Sequence, residues 1–135
     1  MLRIVTLLAC LLTISNSYSQ PLDHYQILNH LDNYGNVYLR NKPYTELPTG
    51  LVVKGNLNIE KTSIKQLPKE LEIGGSLQAA NSLLRRVPAG TSIKGYANLL
   101  GSQIQSWPKG VKVGGFINFT DTPLKKLPNG FRVKG

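Results

Sequence analysis

Apolar residues recur in this chain with a period of twenty residues. The stretch LPTGLVVKGNLNIEKTSIKQ, which begins at Leu47, is followed by LPKELEIGGSLQAANSLLRR, VPAGTSIKGYANLLGSQIQS, WPKGVKVGGFINFTDTPLKK and the partial copy LPNGFRVKG. When Leu47 is numbered position 1, apolar residues fall at positions 1, 5, 7, 11, 13 and 18. A fixed period of this length is typical of a solenoid, in which each repeat forms one coil of a stack.

Within each repeat, the apolar pattern predicts two short strands. Apolar and polar residues alternate around positions 5 and 7 and again around positions 11 and 13, so that one face of each strand points inward. In the first full repeat, Leu51 and Val53 mark one strand, and Leu57 and Ile59 mark the other. We therefore expect an all-β repeat solenoid of about four and a half coils with two narrow parallel sheets.

The residues between the predicted strands indicate turns. Position 2 is always proline and position 4 is glycine in every copy except at Glu70, which predicts a β-turn that does not require positive φ. Position 9 is always glycine, either to turn a tight corner or to let the next coil approach, so Gly95→Val should damage the stack. Position 16 carries small hydroxyl residues that we expect to bond backbone groups along the stack: Thr62, Ser82, Ser102 and Thr122.

Two segments precede the repeats. Residues 1–19 resemble a cleaved export signal, because Arg3, an apolar run and the sequence Ser17-Tyr18-Ser19 follow one another. The mature chain is then secreted or periplasmic, and it has no segment long enough to span a membrane. Lipidation at Cys10 is the disfavoured alternative, since only about eight apolar residues would precede the cleavage point.

Residues 20–34 are predicted to form a short helical cap on the solenoid, which occupies residues 35–135. Pro21 is suited to opening a helix, and Ile27, Leu28 and Leu31 share one face at helical spacing. Residues 35–46 follow the repeat register imperfectly, as expected of a terminal coil.

The repeat motif, LP followed by L-x-[VILF]-x-x-[TS]-x-[IL]-x-x-[LVW]-P, resembles the twenty-residue leucine-rich repeats of bacterial type III secreted effectors. The strands that carry the resemblance are Leu57-x-Ile59, Leu77-x-Ala79, Ala97-x-Leu99 and Ile117-x-Phe119. The family's asparagine ladder is replaced by the Thr and Ser residues at position 16, and the V-x-G strand is not typical. The resemblance implies a scaffold for protein recognition and carries over no enzymatic activity.

In such repeats, the strand at positions 10 to 14 lines the concave face, with positions 10, 12 and 14 pointing outward. The candidate binding residues on this face are Tyr38, Asn58, Gln78, Tyr96, Asn98, Phe116 and Asn118. Amides offer donors and acceptors, and aromatic rings offer flat apolar area, which suits a peptide or glycan ligand. The alternative is an amide ladder that only stabilises the sheet.

The charge of the chain suggests a second surface. Without Arg3, fifteen Lys and Arg face seven Asp and Glu, a net charge of +8, which favours anionic partners as well as solubility. Basic residues gather near the turns between repeats, where stacking would align them into a basic edge: Lys65, Lys69, Arg85, Arg86, Lys109, Lys125 and Lys126. Ordinary solvated turns would show the same pattern.

Sequence signals for an enzyme are scarce. His24 and His30 are spaced by six residues and have no carboxylate cluster beside them, so we expect neither a metal nor a cofactor. No phosphate loop or nucleophile motif is present, and nucleic acid is not an expected partner. The sequence therefore predicts an exported binding scaffold for a protein or glycan. The alternative is an envelope-associated protein held to anionic glycan or lipid by the basic edge.

Overall fold

The computed structural model describes residues 20–133 as a β-solenoid of about four turns with two parallel sheets and one short α-helix. The predicted export signal, with Arg3 and Cys10, lies outside the described residues. The architecture confirms the prediction of an all-β repeat solenoid made of stacked twenty-residue coils.

Each full coil contributes one two-residue strand to each sheet. In chain order the strands are β1 Val37–Tyr38, β2 Val52–Val53, β3 Leu57–Asn58, β4 Glu72–Ile73, β5 Leu77–Gln78, β6 Ser92–Ile93, β7 Ala97–Asn98, β8 Lys112–Val113 and β9 Ile117–Asn118. The odd-numbered strands form a five-stranded sheet in the order β1-β3-β5-β7-β9, and the even-numbered strands form a four-stranded sheet in the order β2-β4-β6-β8. The five-stranded sheet carries the predicted recognition face.

All neighbouring strands are parallel, and each residue pairs with the residue twenty positions later. Val37 pairs with Leu57, for example, and Val52 pairs with Glu72. The sequence period therefore sets the register directly, because equivalent positions of successive repeats lie beside one another. Any side chain that recurs in the repeat becomes a column along the stack.

The core is built from the six apolar positions that the repeat predicts. In the first full coil these residues are all less than a tenth exposed: Leu47, Leu51, Val53, Leu57, Ile59 and Ile64. Thr91 takes position 5 of a later coil and is fully buried, where its hydroxyl donates to the Pro88 carbonyl at 2.8 Å. That internal bond removes the cost of an unpaired polar group in the core.

The hydroxyl residues at position 16 bond the backbone of their own coil. Thr62, Ser82 and Thr122 each donate to the carbonyl three residues earlier, at 2.7 Å in all three cases. Ser102 is buried, and its hydroxyl has no hydrogen-bond partner among the described residues. The column therefore closes a bend within three of the four full coils, and its bonds stay inside each coil rather than running along the stack.

The N-terminal cap differs from its prediction in detail. Its helix, α1, spans His24–Ile27 and is followed by a 3-10 turn at Leu28–His30. Asp23 is the N-cap residue and forms a reciprocal capping box with Gln26, so Pro21 does not open the helix. The expected apolar face is wrong in two of its three members: Ile27 is buried, whereas Leu28 and Leu31 are exposed. A single helical turn is too short to sustain that face.

Two corners of every full coil adopt left-handed backbone. At position 4, Glu70 has φ of 60° and the equivalent Gly50 and Gly90 have 73° and 89°. The prediction that the turn at position 4 does not require positive φ is therefore wrong. Glu70 adopts a left-handed conformation that L-residues disfavour. The second corner, at position 15, was not predicted. Its residues all have positive φ: Asn41, Lys61, Asn81, Gly101 and Asp121.

The glycines at position 9 of the first three full coils are required by close approach between coils. A Cβ atom on Gly95 would overlap Ser76 Oγ and would lie 2.9 Å from the Gly75 carbonyl oxygen. The equivalent Gly55 and Gly75 would meet the side-chain oxygens of Asn36 and Asn56. Of the two reasons that the sequence left open, the structure supports close approach for these full coils.

None of the helical segments within residues 20–133 has the length and apolar character that spanning a bilayer requires.

Candidate functional site

A column of side chains at position 10 links successive coils through their backbone amides. Asn36 Oδ1 accepts from the amide of Asn56 at 2.7 Å, and Asn56 Oδ1 accepts from the amide of Ser76 at 2.7 Å. Ser76 Oγ then accepts from the amide of Tyr96 at 3.0 Å. Sequence reasoning missed this ladder, although the polar residues at position 10 were its visible signal.

Asp32 anchors the start of the ladder. Its carboxylate accepts from the Asn36 side chain at 3.0 Å and from the amides of Asn36 and Tyr34 at 2.9 Å each. The Asn36 side-chain hydrogen bond is the largest of several causes that lower the pKa of Asp32 below its ordinary value. The carboxylate thereby orients the first amide of the column.

At Tyr96 the column changes from polar to aromatic. The rings of Tyr96 and Phe116 are parallel within 3°, with centroids 4.8 Å apart. Phe116 is 49% exposed and Tyr96 is partly buried. A tyrosine ring has no acceptor close to its own backbone, so the ladder cannot continue through it. The result is an exposed aromatic stack on strands that otherwise carry amides.

The amides at position 12 are partly engaged in the fold. Asn58, Asn98 and Asn118 each accept through Oδ1 from the backbone amide two residues later, at 3.0 to 3.2 Å. Asn118 Nδ2 also donates to Asn98 Oδ1 at 3.2 Å, and Gln78 Nε2 donates to the Tyr96 hydroxyl. The amide column is thus largely a structural element, with one direct amide–amide link along it.

Four of the seven predicted recognition residues form one cluster, and the other three lie on other strands of the same sheet: Tyr38 on β1, Asn58 on β3 and Gln78 on β5. Tyr96, Asn98, Phe116 and Asn118 lie on or beside the adjacent strands β7 and β9. Tyr38 lies on β1, at the opposite edge of the five-stranded sheet, and is 51% exposed. We call the cluster of Tyr96, Asn98, Phe116 and Asn118 the aromatic patch.

The predicted basic edge borders a groove at the turns between coils. The groove has a volume of about 760 Å³ and extends from Glu46 to Pro108 across four successive turns. Three residues of the basic edge line it: Lys69, Arg85 and Arg86. The remaining members, Lys65, Lys109, Lys125 and Lys126, are exposed but do not line this groove.

The two histidines of residues 20–133 lie in the cap segment. No group of three or more His, Cys, Asp or Glu side chains in residues 20–133 is placed to hold a metal ion. His30 contacts Tyr44 edge to face, with Nε2 3.2 Å from the tyrosine hydroxyl, and joins the cap to the first coil. His24 is exposed at the start of α1.

Comparisons with protein-family models, curated proteins and solved structures found no match.

Proposed function

We propose that the protein is an exported, non-enzymatic binding scaffold that recognises a protein or glycan through the aromatic patch. The observation that carries this proposal is the exposed stack of Tyr96 and Phe116. Exposed aromatic side chains provide large contact area with little conformational freedom to lose, and they are enriched where proteins bind partners.

The neighbouring amides support the same proposal. The Oδ1 atoms of Asn98 and Asn118 are held by backbone amides, which orients both side chains beside the rings. Their Nδ2 groups have two protons each, and only one bond is made between the pair. Oriented donors beside an apolar ring suit hydroxyl or carbonyl groups of a ligand. The resemblance to leucine-rich repeats favours the same sheet as the recognition face.

The proposal is tested by capturing partners from the native organism with residues 20–135. The matched pair is wild type and a Tyr96→Asn, Phe116→Ser variant, which introduces side-chain types that position 10 already holds in Asn56 and Ser76. We expect the variant to lose the partner. Retention of the same partner at equal yield would contradict the proposal.

A control variant removes two aromatic rings elsewhere. Tyr25 and Tyr34 are 84% and 85% exposed and lie in the cap segment, away from β7 and β9. Tyr25→Ala, Tyr34→Ala should capture the partner as wild type does. Equal losses in both variants would indicate nonspecific adhesion of exposed aromatic side chains.

The second candidate is attachment to an anionic envelope surface through the basic edge. The groove beside Lys69, Arg85 and Arg86 favours it, because the groove provides a recess together with cationic side chains. Such attachment would weaken as salt increases, whereas an apolar contact at the aromatic patch would persist.

A further inference from the structure

Charge is distributed unevenly along the solenoid. Between residues 20 and 76, six Lys and Arg face six Asp and Glu, a net charge of zero. Between residues 77 and 133, eight Lys and Arg face only Asp121, a net charge of +7. The one ion pair among the described side chains, Arg40 with Glu60 at 3.6 Å, lies in the neutral half. The positive charge of the second half is thus left for solvent or for a partner.

The groove lies across the boundary between these halves. Its floor is aliphatic, formed by Leu47, Leu67 and Val87, which are buried, together with Pro68 and Pro88. Its walls carry Lys69, Arg85 and Arg86, and the carboxylate of Glu46 stands at the opposite end. Pro68 and Pro88 contribute no amide proton, and the cationic donors of the lining are the side chains of Lys69, Arg85 and Arg86.

We infer that this groove binds a linear polyanion, namely a sulfated or phosphorylated polysaccharide, with its charged groups against Lys69, Arg85 and Arg86. The inference rests on the second candidate under the proposed function and names its ligand class and its site. An elongated recess that crosses four turns matches an extended chain, and guanidinium groups bind sulfate and phosphate oxygens in a bidentate manner.

Two other anionic partners fit the groove less well. A planar lipid surface would contact the rims of the groove and leave its floor empty. A single-stranded nucleic acid gains affinity by stacking bases on aromatic side chains, and no aromatic residue lines this groove. Sugar rings can rest on the partly exposed Pro68 and Pro88 while their anionic groups reach the walls.

The test measures binding of a heparin octasaccharide to residues 20–135 by calorimetry at low ionic strength. An Arg85→Gln, Arg86→Gln variant should lose about tenfold or more in affinity, since charge-assisted bonds to both arginines are removed. A Lys42→Gln, Lys54→Gln variant loses the same charge from exposed residues outside the groove and should change affinity by less than about twofold. Glu46→Gln should tighten binding, because it removes from the groove a negative charge that repels the anionic ligand.

Equal losses of heparin affinity in the arginine and lysine double variants would overturn the inference, because they would indicate attraction to the net charge of the protein alone. Tighter binding of phosphatidylglycerol vesicles or of single-stranded RNA through the same arginines would also overturn it in favour of those partners.

Denaturation midpoints of both variants should match wild type, because all four side chains are exposed. The Tyr96→Asn, Phe116→Ser variant should still bind heparin. If this aromatic variant binds heparin but fails to capture a protein or glycan partner, the aromatic patch and the groove are shown to act independently.

Discussion

Ser76 Oγ accepts a hydrogen bond from the backbone amide of Tyr96 at 3.0 Å, and this is the last link of the polar ladder at position 10. Beyond it the column continues as stacked rings. A polar ladder along a parallel stack stabilises neighbouring coils, whereas the aromatic continuation leaves Phe116 about half exposed. The same column therefore links coils through hydrogen bonds in its first half and carries an exposed aromatic stack in its second.

Tyr96→Asn should extend the polar ladder by one link. The Asn oxygen can accept from the amide of Phe116 as Asn56 accepts from Ser76, and Gly115 leaves room for it. The new bond offsets the lost ring stacking, so the free energy of unfolding should stay within about 1 kcal/mol of wild type. Urea denaturation measures this change. A loss of several kcal/mol would show that the ring supports the fold.

Gly95→Ala should be much more damaging than Gly115→Ala. The added Cβ on Gly95 overlaps Ser76 Oγ, whereas on Gly115 its nearest neighbour, the Tyr96 nitrogen, is 3.2 Å away. We expect destabilisation of about 2 to 3 kcal/mol for Gly95→Ala and about 1 kcal/mol or less for Gly115→Ala. Thermal or urea unfolding of both variants checks the order, and equal effects would contradict the close-approach explanation.

Glu70→Gly should stabilise the protein. Left-handed backbone costs a non-glycine residue about 1 to 2 kcal/mol, and the substitution removes this strain. The greater conformational freedom of glycine in the unfolded state offsets only part of the gain. A net gain of about 0.5 to 1 kcal/mol is expected. Gly90→Ala is the matched control, because its φ is 89° and its Cβ would touch nothing within 4 Å. It should destabilise by about 1 kcal/mol, and the same sign for both changes would refute the account.

Stability should fall in acid partly through Asp32. Hydrogen bonds lower the pKa of Asp32 in the folded state, so the ionised carboxylate stabilises the folded protein. This stabilisation is complete above the pKa of an unfolded aspartate, near 4, and is lost as pH falls through the folded pKa. Asp32→Asn should therefore flatten the decline of unfolding free energy below about pH 4. An unchanged pH profile in the variant would exclude Asp32 from the acid response.

Core truncations should cost more inside the stack than in its last described coil. Ile64→Ala removes a fully buried side chain and should cost about 2 to 5 kcal/mol. Leu124, at the same repeat position, is only partly buried, so Leu124→Ala should cost about 1 kcal/mol. Comparable losses at the two sites, measured by urea denaturation, would contradict this gradient.

The period, the two sheets and the buried positions could be predicted because each depends on a residue that recurs every twenty positions. The left-handed corner at position 15 was missed because its residue type is not constant. Asn, Asp and Gly are typical of positive φ and occupy four of the copies, but Lys61 occupies the fifth. Glu70 was misinterpreted for a related reason. Sequence shows which residue is present and does not show the strain that the surrounding coil imposes on it.

The candidate site was predicted as exposed side chains at positions 10 and 12, and the structure separates the amides that bond the backbone from the exposed stack of Tyr96 and Phe116. Whether Asn58 faces a ligand or bonds its own backbone depends on a local bend of the chain, which periodicity alone does not reveal. The groove was also invisible in the sequence, since its floor and walls come from four different repeats. Only the alignment of basic residues pointed towards it.

The most direct measurement is the salt dependence of partner capture by wild type, the Tyr96→Asn, Phe116→Ser variant and the Arg85→Gln, Arg86→Gln variant. If the aromatic patch is the recognition surface, wild type and the arginine variant retain the partner at high salt, and the aromatic variant loses it at every salt concentration. Capture that ignores the aromatic substitutions and disappears as salt increases would contradict this account and assign binding to the basic edge.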